Sequence, residues 1–178
     1  MAISPYLKRL RERIGRDLVL MPGVAAVIRD RDGRVLVERR SDDPSKFSLP
    51  AGATDPGEAP AKALVREVWE ETGLIVRPTE ILGIFGGRAF RTVYPNGDEV
   101  EYTVTVFACA VRSGTLAPLD GEALELLYVE PARLPELGLP YPRSLFDEDS
   151  EAGTKGKANG SRRPGSTWFD WDEAWLDP

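Results

Sequence analysis

Residues 52–74 read GATDPGEAPAKALVREVWEETGL. Four glutamates (Glu58, Glu67, Glu70, Glu71) and Arg66 stand at fixed intervals between Gly52 and Gly73. Pro60 suits a first helical turn and Gly73 a left-handed helix terminus, so the spacing predicts a helix over 60–72. At about 100° per residue, Ala61, Leu64, Val65, Val68 and Trp69 cover one arc and Glu67, Glu70 and Glu71 another. Glu67 lies three and four residues from Glu70 and Glu71, and like charges so placed cost roughly 0.2–0.5 kcal/mol per pair. A helix face of this kind either opens to water or holds a cation.

The chain around it has 178 residues, enough for one domain with a proper core. A net charge of −6 argues against general nucleic-acid binding, which draws on an excess of Lys and Arg. No apolar run is long enough to span a bilayer and no signal-peptide pattern opens the sequence, so the expected location is the cytoplasm. Histidine is absent and Cys109 is the single cysteine. Ser-His-Asp, Cys-His and thiolate-zinc chemistry are therefore excluded within one chain, and acid–base or metal work falls to carboxylates and backbone oxygens.

Upstream, residues 3–15 carry Tyr6, Leu7, Leu10 and Ile14 at helical spacing, with Ser4 and Pro5 as a start and Gly15 as a stop. Residues 18–28 read as a buried strand broken at Pro22–Gly23, Asp30–Gly33 as a hairpin turn, and 34–40 as a second strand. Downstream, 80–93 and 99–112 read as two long strands joined by an Asn-Gly turn at 94–98. Residues 124–129 suggest a further strand, and 131–137 a short helix or turn. This gives an N-terminal helix over 1–17, a domain over 18–146, and a linker with a tryptophan-rich acidic tail over 147–178. Trp168, Trp171 and Trp175 in that tail are expected to dock on their own domain or on a second protomer; the plainer reading is a disordered acidic end.

Three helix carboxylates with no competing nitrogen or sulfur suit a hard ion such as Mg²⁺ or Mn²⁺ better than zinc. Arg66 is four residues from Glu70 and can orient it by an ion pair. The bland alternative is a solvated glutamate-rich helix. The complete spacing weighs against it, because seven fixed letters match by chance in fewer than about one window in 10⁸.

The segment resembles the Nudix box, G-x5-E-x7-R-E-U-x-E-E-x-G-U, with U a bulky aliphatic residue: Gly52, Glu58, Arg66, Glu67, Val68, Glu70, Glu71, Gly73 and Leu74 fill every position. The likeness covers roughly residues 20–140; Ala51 stands where the family often has a second glycine. It implies an α/β fold with a mixed sheet sandwiched between helices. It also implies hydrolysis of a nucleoside diphosphate linked to another group, or of a nucleoside triphosphate, by attack of water on phosphorus. Position by position, Glu67, Glu70 and Glu71 become metal ligands with the Gly52 carbonyl, and Glu58 and Arg66 orienting residues. A further glutamate from a later loop is expected, Glu122 first and Glu125 second. Arg39, Phe47, Arg88, Phe90 and Arg91 are candidates for substrate contact, each also readable as a surface charge or core aromatic. The expected partner is a small nucleotide; domains of this family are often homodimers, and the residues themselves leave the oligomeric state open. The alternative is a catalytically idle Nudix module that binds a nucleotide as a sensor.

Overall fold

The computed structural model describes residues 4–41, 43–119, 121–147 and 171–176. Helix α1 (Pro5–Ile14) starts where Ser4 Oγ accepts the Leu7 N–H at 3.3 Å, and ends at Gly15 with φ 62°. Its Leu7, Leu10 and Ile14 pack on Val19, Met21 and Val100. Arg11 ties it to the sheet by donating to the Glu99 carbonyl at 2.8 Å.

The central sheet has five strands: β1 (Val19–Ile28), β4 (Ala51–Ala53), β5 (Leu74–Phe85), β6 (Arg91–Val93) and β7 (Glu99–Gly114). Their order is β4-β1-β7-β5, with β6 also on β7. β1 runs parallel to β7 from Val19↔Val100 to Ile28↔Cys109, while the other pairings are antiparallel, so the sheet is mixed. A second, antiparallel sheet joins β2 (Val35–Arg40) to β3 (Phe47–Ser48) and β8 (Ala123–Val129).

Alternation along β1 builds two cores. Val24, Ala26 and Ile28 face helix α2 (Pro60–Thr72), meeting Ala61, Leu64 and Val68 together with Phe107. Ala25 and Val27 face the other way, with Val35, Val37, Leu49, Phe90, Leu145 and Phe146. Burial on both faces explains why this stretch of β1 is apolar at every position.

Several boundaries differ from the sequence reading. β1 continues through Pro22–Gly23: the Pro22 carbonyl accepts from Thr54 N at 3.1 Å, so its missing N–H falls on the β4 side at the end of that short ladder and costs no β1–β7 bond. The expected strand over 80–93 is two strands. β5 begins at Leu74, immediately after the helix-ending Gly73 (φ 69°), and stops before Gly86–Gly87. A 3-10 turn, Arg88–Phe90, then leads into β6. Gly86 passes so close to the Tyr102 carbonyl that a Cβ there would lie 3.1 Å away. The stretch read as a linker lies outside the described residues apart from Asp147, and Trp168 lies outside them too. Trp171 and Trp175 are described, and both pack on the α2 core of their own domain. No helix among the described residues is long and apolar enough to cross a membrane.

Candidate active site

β4 and α2 assemble the site. Gly52 is paired with Val24, so its α-carbon faces the helix, and the Glu67 carboxylate occupies the space a side chain would take. A Cβ on Gly52 would lie 1.9 Å from Glu67 Cδ. Only glycine fits beneath that carboxylate. One residue earlier, the Ala51 N–H donates to Glu71 Oε2 at 2.8 Å, fixing a glutamate that is 3% exposed. Two of the three box glutamates are thus held against the β4 backbone.

Arg66 organises the rest. Its Nε and Nη2 donate to the two Glu58 oxygens at 3.1 and 2.9 Å, a two-pronged pair. Nη2 also donates to the Ala53 carbonyl at 3.1 Å, and Nη1 reaches Glu67 at 2.8 Å and Glu70 at 3.3 Å. Glu58 is itself set by the loop, accepting from Asp55 N at 3.3 Å. One guanidinium therefore spans three carboxylates and a backbone oxygen, and relieves the repulsion that their spacing imposes.

The charges respond accordingly. Hydrogen bonds to Glu58, together with the charge of Glu67, hold the Arg66 proton more firmly than usual against the effect of burial. Partial burial acts to raise Glu58, but the hydrogen bonds from Arg66 and Asp55 N outweigh it and hold that carboxyl below the ordinary range. Glu67 moves the other way: burial pushes it up, the charges of Glu70 and Glu122 add to the rise, and Arg66 opposes it only in part.

Among the described residues no three acidic side chains gather closely enough to cage an ion outright. In this arrangement Glu67 and Glu70 pair with Arg66, while Glu71 accepts from Ala51 N. The donor chemistry nevertheless fits a hard divalent ion: every candidate ligand is oxygen, the only cysteine sits elsewhere on β7, and Gly52 leaves a cradle that any side chain would fill.

The other predicted residues divide. Glu122 precedes β8, and its charge adds to the rise at Glu67. Glu125 is instead opposite Arg39 in the β2–β8 register and pairs with it at 3.1 Å. Phe47 lies on β3, half-buried against the second core. Arg88 is exposed in the 3-10 turn. Arg91, on β6, pairs with Glu101 at 2.8 Å. Phe90 must be corrected: at 5% exposed, stacked on Phe85 and edge-on to Tyr141, it is a core aromatic with no face free for a base. A groove of about 330 Å³ lined by Leu134, Leu137, Tyr141, Arg143 and Phe146 involves none of the box carboxylates. Sequence reasoning missed the Ala51 N–H and the Ala53 carbonyl as anchors, since backbone groups leave no signature in residue type.

A glycine-bounded loop and helix that set three glutamates and an orienting arginine against a mixed sheet define a carboxylate-based hydrolase. A profile of the NUDIX domain matches residues 19–148, and the chain belongs to that family. It is accordingly a Nudix pyrophosphohydrolase. An ADP-ribose pyrophosphatase of Methanocaldococcus jannaschii is 32% identical over 157 residues, covering 82% of this chain and 88% of that one. An RNA pyrophosphohydrolase of Novosphingobium aromaticivorans is 29% identical, covering 70% and 86%. Among solved structures, the MutT protein of Methanosarcina mazei Go1 superposes with a TM-score of 0.57 at 28% identity, covering 73% of this chain and 92% of that one.

Proposed function

We propose that this chain is a Mg²⁺- or Mn²⁺-dependent hydrolase of small nucleotides in which a nucleoside diphosphate is linked to another group, of the ADP-ribose or NDP-sugar type, or of nucleoside triphosphates. The observation that carries this reading is the seat of Glu67 over Gly52, joined through Arg66 to Glu58 and Glu70. The similarity to the M. jannaschii ADP-ribose pyrophosphatase, which extends over most of both chains, supports the substrate class. The retention of every box glutamate favours hydrolysis over an idle sensor.

Glu67, Glu70, Glu71 and the Gly52 carbonyl are the residues that would hold the ion. When bound, it would neutralise charge on the phosphate oxygens and help ionise the attacking water. Arg66 sets the direction of Glu67 and Glu70 through the bonds described above. Ala51 N fixes Glu71. Glu122, whose charge already reaches Glu67, is the base we assign to the proton lost by the attacking water. The new bond joins the water oxygen to phosphorus, the phosphoanhydride P–O bond breaks, and its electron pair leaves on the departing phosphate. Arg39, near the end of β2 and next to the loop that carries Glu122, is the residue we assign to substrate phosphate.

Product release from a panel of ADP-ribose, UDP-sugars and nucleoside triphosphates, with Mg²⁺ or Mn²⁺, tests the reading. Turnover by the wild type and its loss in Glu71→Gln are expected. Tight nucleotide binding without turnover would establish the sensor alternative instead.

A further inference from the structure

Helix α2 touches both edge strands of the central sheet, β4 and β5. On the β4 side it is fixed by Glu67 against Gly52 and Glu71 on Ala51. On the β5 side the contact is apolar, with Leu64 and Val68 of α2 in one cluster with Leu74 and Val76 of β5. There the segment from Trp171 to Leu176 lies against α2 and β5, and its half-buried Trp171 and Trp175 pack on the core that holds Val24, Leu64, Val68, Leu74 and Phe107. Trp171 and Trp175 meet edge to face, with ring centroids 5.8 Å apart, so the two indoles form one wedge. Glu173 between them pairs with Arg77 of β5 at 3.2 Å, which sets the direction of the segment across the groove. The charge pair and the aromatic wedge belong to one docking geometry.

We propose that Trp171 and Trp175 are positioning residues for catalysis: by filling the α2–β5 groove they press the carboxylate helix towards β4 and hold Glu67 and Glu71 in their seats on Gly52 and Ala51. The segment touches neither substrate nor reacting atoms and acts through α2. A helix held on one flank by packing alone can tilt about its polar grip on the other, and a misplacement of about 1 Å at a catalytic group can cost on the order of 10²-fold in rate. The wedge adds to the packing of Leu64 and Val68 on Leu74 and Val76 that holds this flank. Its role rests on the hydrolase reading above, yet the geometry it enforces has a readout of its own, because the Ala51 amide is protected only while Glu71 stays on it.

The test uses the full chain carrying Trp171→Ala with Trp175→Ala, beside Trp171→Phe with Trp175→Phe. Amide hydrogen exchange at Ala51 and, at a temperature well below the melting midpoint, kcat and KM are measured on each. The alanine pair is expected to speed exchange at Ala51 at least tenfold and to lower kcat about tenfold or more with KM little changed. Exchange at Gly97, in the distant β6–β7 turn, should not move, and the phenylalanine pair should restore most of both losses. A fall in melting temperature with kcat and Ala51 exchange unchanged would reduce the tryptophans to packing and overturn the proposal. If the alanine pair does not fold, Arg77→Glu replaces it. That change sets two acids face to face and should give the same two effects up to about fivefold, with Arg77→Glu/Glu173→Arg reversing them; no effect, or no reversal, overturns the proposal. Should the wild type hydrolyse no nucleotide, the functional reading falls, while Ala51 exchange still decides the positioning role.

Discussion

Along α2, the flank facing β4 is held by charge and hydrogen bonds, whereas the flank facing β5 is held by packing. The first depends on direction: Arg66 meets Glu58 through two nitrogens, and Glu71 accepts one particular amide. The second depends on volume, supplied by Trp171, Trp175 and the apolar arc of the helix. The difference teaches where precision resides in this molecule. Polar bonds place catalytic atoms to within tenths of an ångström and contribute little net stability. Apolar burial contributes most of the stability and tolerates small shifts. Changes on the β4 flank should therefore appear as rate and changes on the β5 flank as stability, except where the second is transmitted to the first.

The sharpest way to break this contrast is Gly52→Ala. The added methyl must displace the Glu67 carboxylate, since its carbon would sit 1.9 Å from Cδ. A fall in kcat/KM of about 10²-fold or more is expected, with the thermal midpoint changed by no more than a few degrees. Collapse of the fold, or unchanged activity, would show that the seat of Glu67 on glycine is not what sets the rate.

Next in size is the orienting pair. Glu58→Gln keeps the shape of the side chain but gives Arg66 a neutral partner, and Arg66→Lys removes the two-pronged contact altogether. Such outer partners typically cost about 10–100-fold in metal affinity or activity. Titrating Mg²⁺ against activity should move the half-saturating concentration upward in both variants, and more in Arg66→Lys.

This contrast between flanks also explains how much could be read from residues alone. The box was legible because its chemistry needs particular letters at particular spacings, and α1 and the turn at 94–98 because Ser4, Gly15, Asn96 and Gly97 carry local geometry in their types. Packing leaves a weaker trace. Phe90 and a surface aromatic look alike in one sequence, and only the fold brings Phe85 and Tyr141 onto it. The start of β5 at Leu74 was hidden because Gly73 signals a helix end without specifying the next element. The tail tryptophans proved harder: a docking was foreseeable, but the surface that receives Trp171 and Trp175 exists only once α2 and β5 are side by side.

The two loop glutamates sharpen the comparison at smaller scale. The charge of Glu122 acts to raise Glu67, whereas Glu125 pairs with Arg39 across the β2–β8 ladder. Glu122→Gln is expected to lower kcat at least tenfold with KM nearly constant. Glu125→Gln should alter KM by severalfold at most and leave kcat alone. Reversal of the two patterns in steady-state kinetics would assign the base to Glu125.

The smallest effect concerns pH, and it sets two carboxylates on the same guanidinium against each other. Glu58 is held below its ordinary value of 4.5, so ionising it favours the folded state. Its contribution is complete above about pH 4.5 and fades as pH falls through the lower folded value. For a pair partly open to water this contribution is up to about 1 kcal/mol. Glu67 is raised by burial, so its ionisation works against folding, and that cost is present above its folded value and vanishes below about pH 4.5. Urea unfolding without added metal should therefore find Glu58→Gln less stable than the wild type at pH 7, with the gap closing towards pH 3. Glu67→Gln should be more stable at pH 7, with its advantage closing over the acid range. Two variants shifting in the same direction at pH 7 would mean that Arg66 is shared between the carboxylates differently from the arrangement described, and that the strain on the catalytic flank does not reside in Glu67.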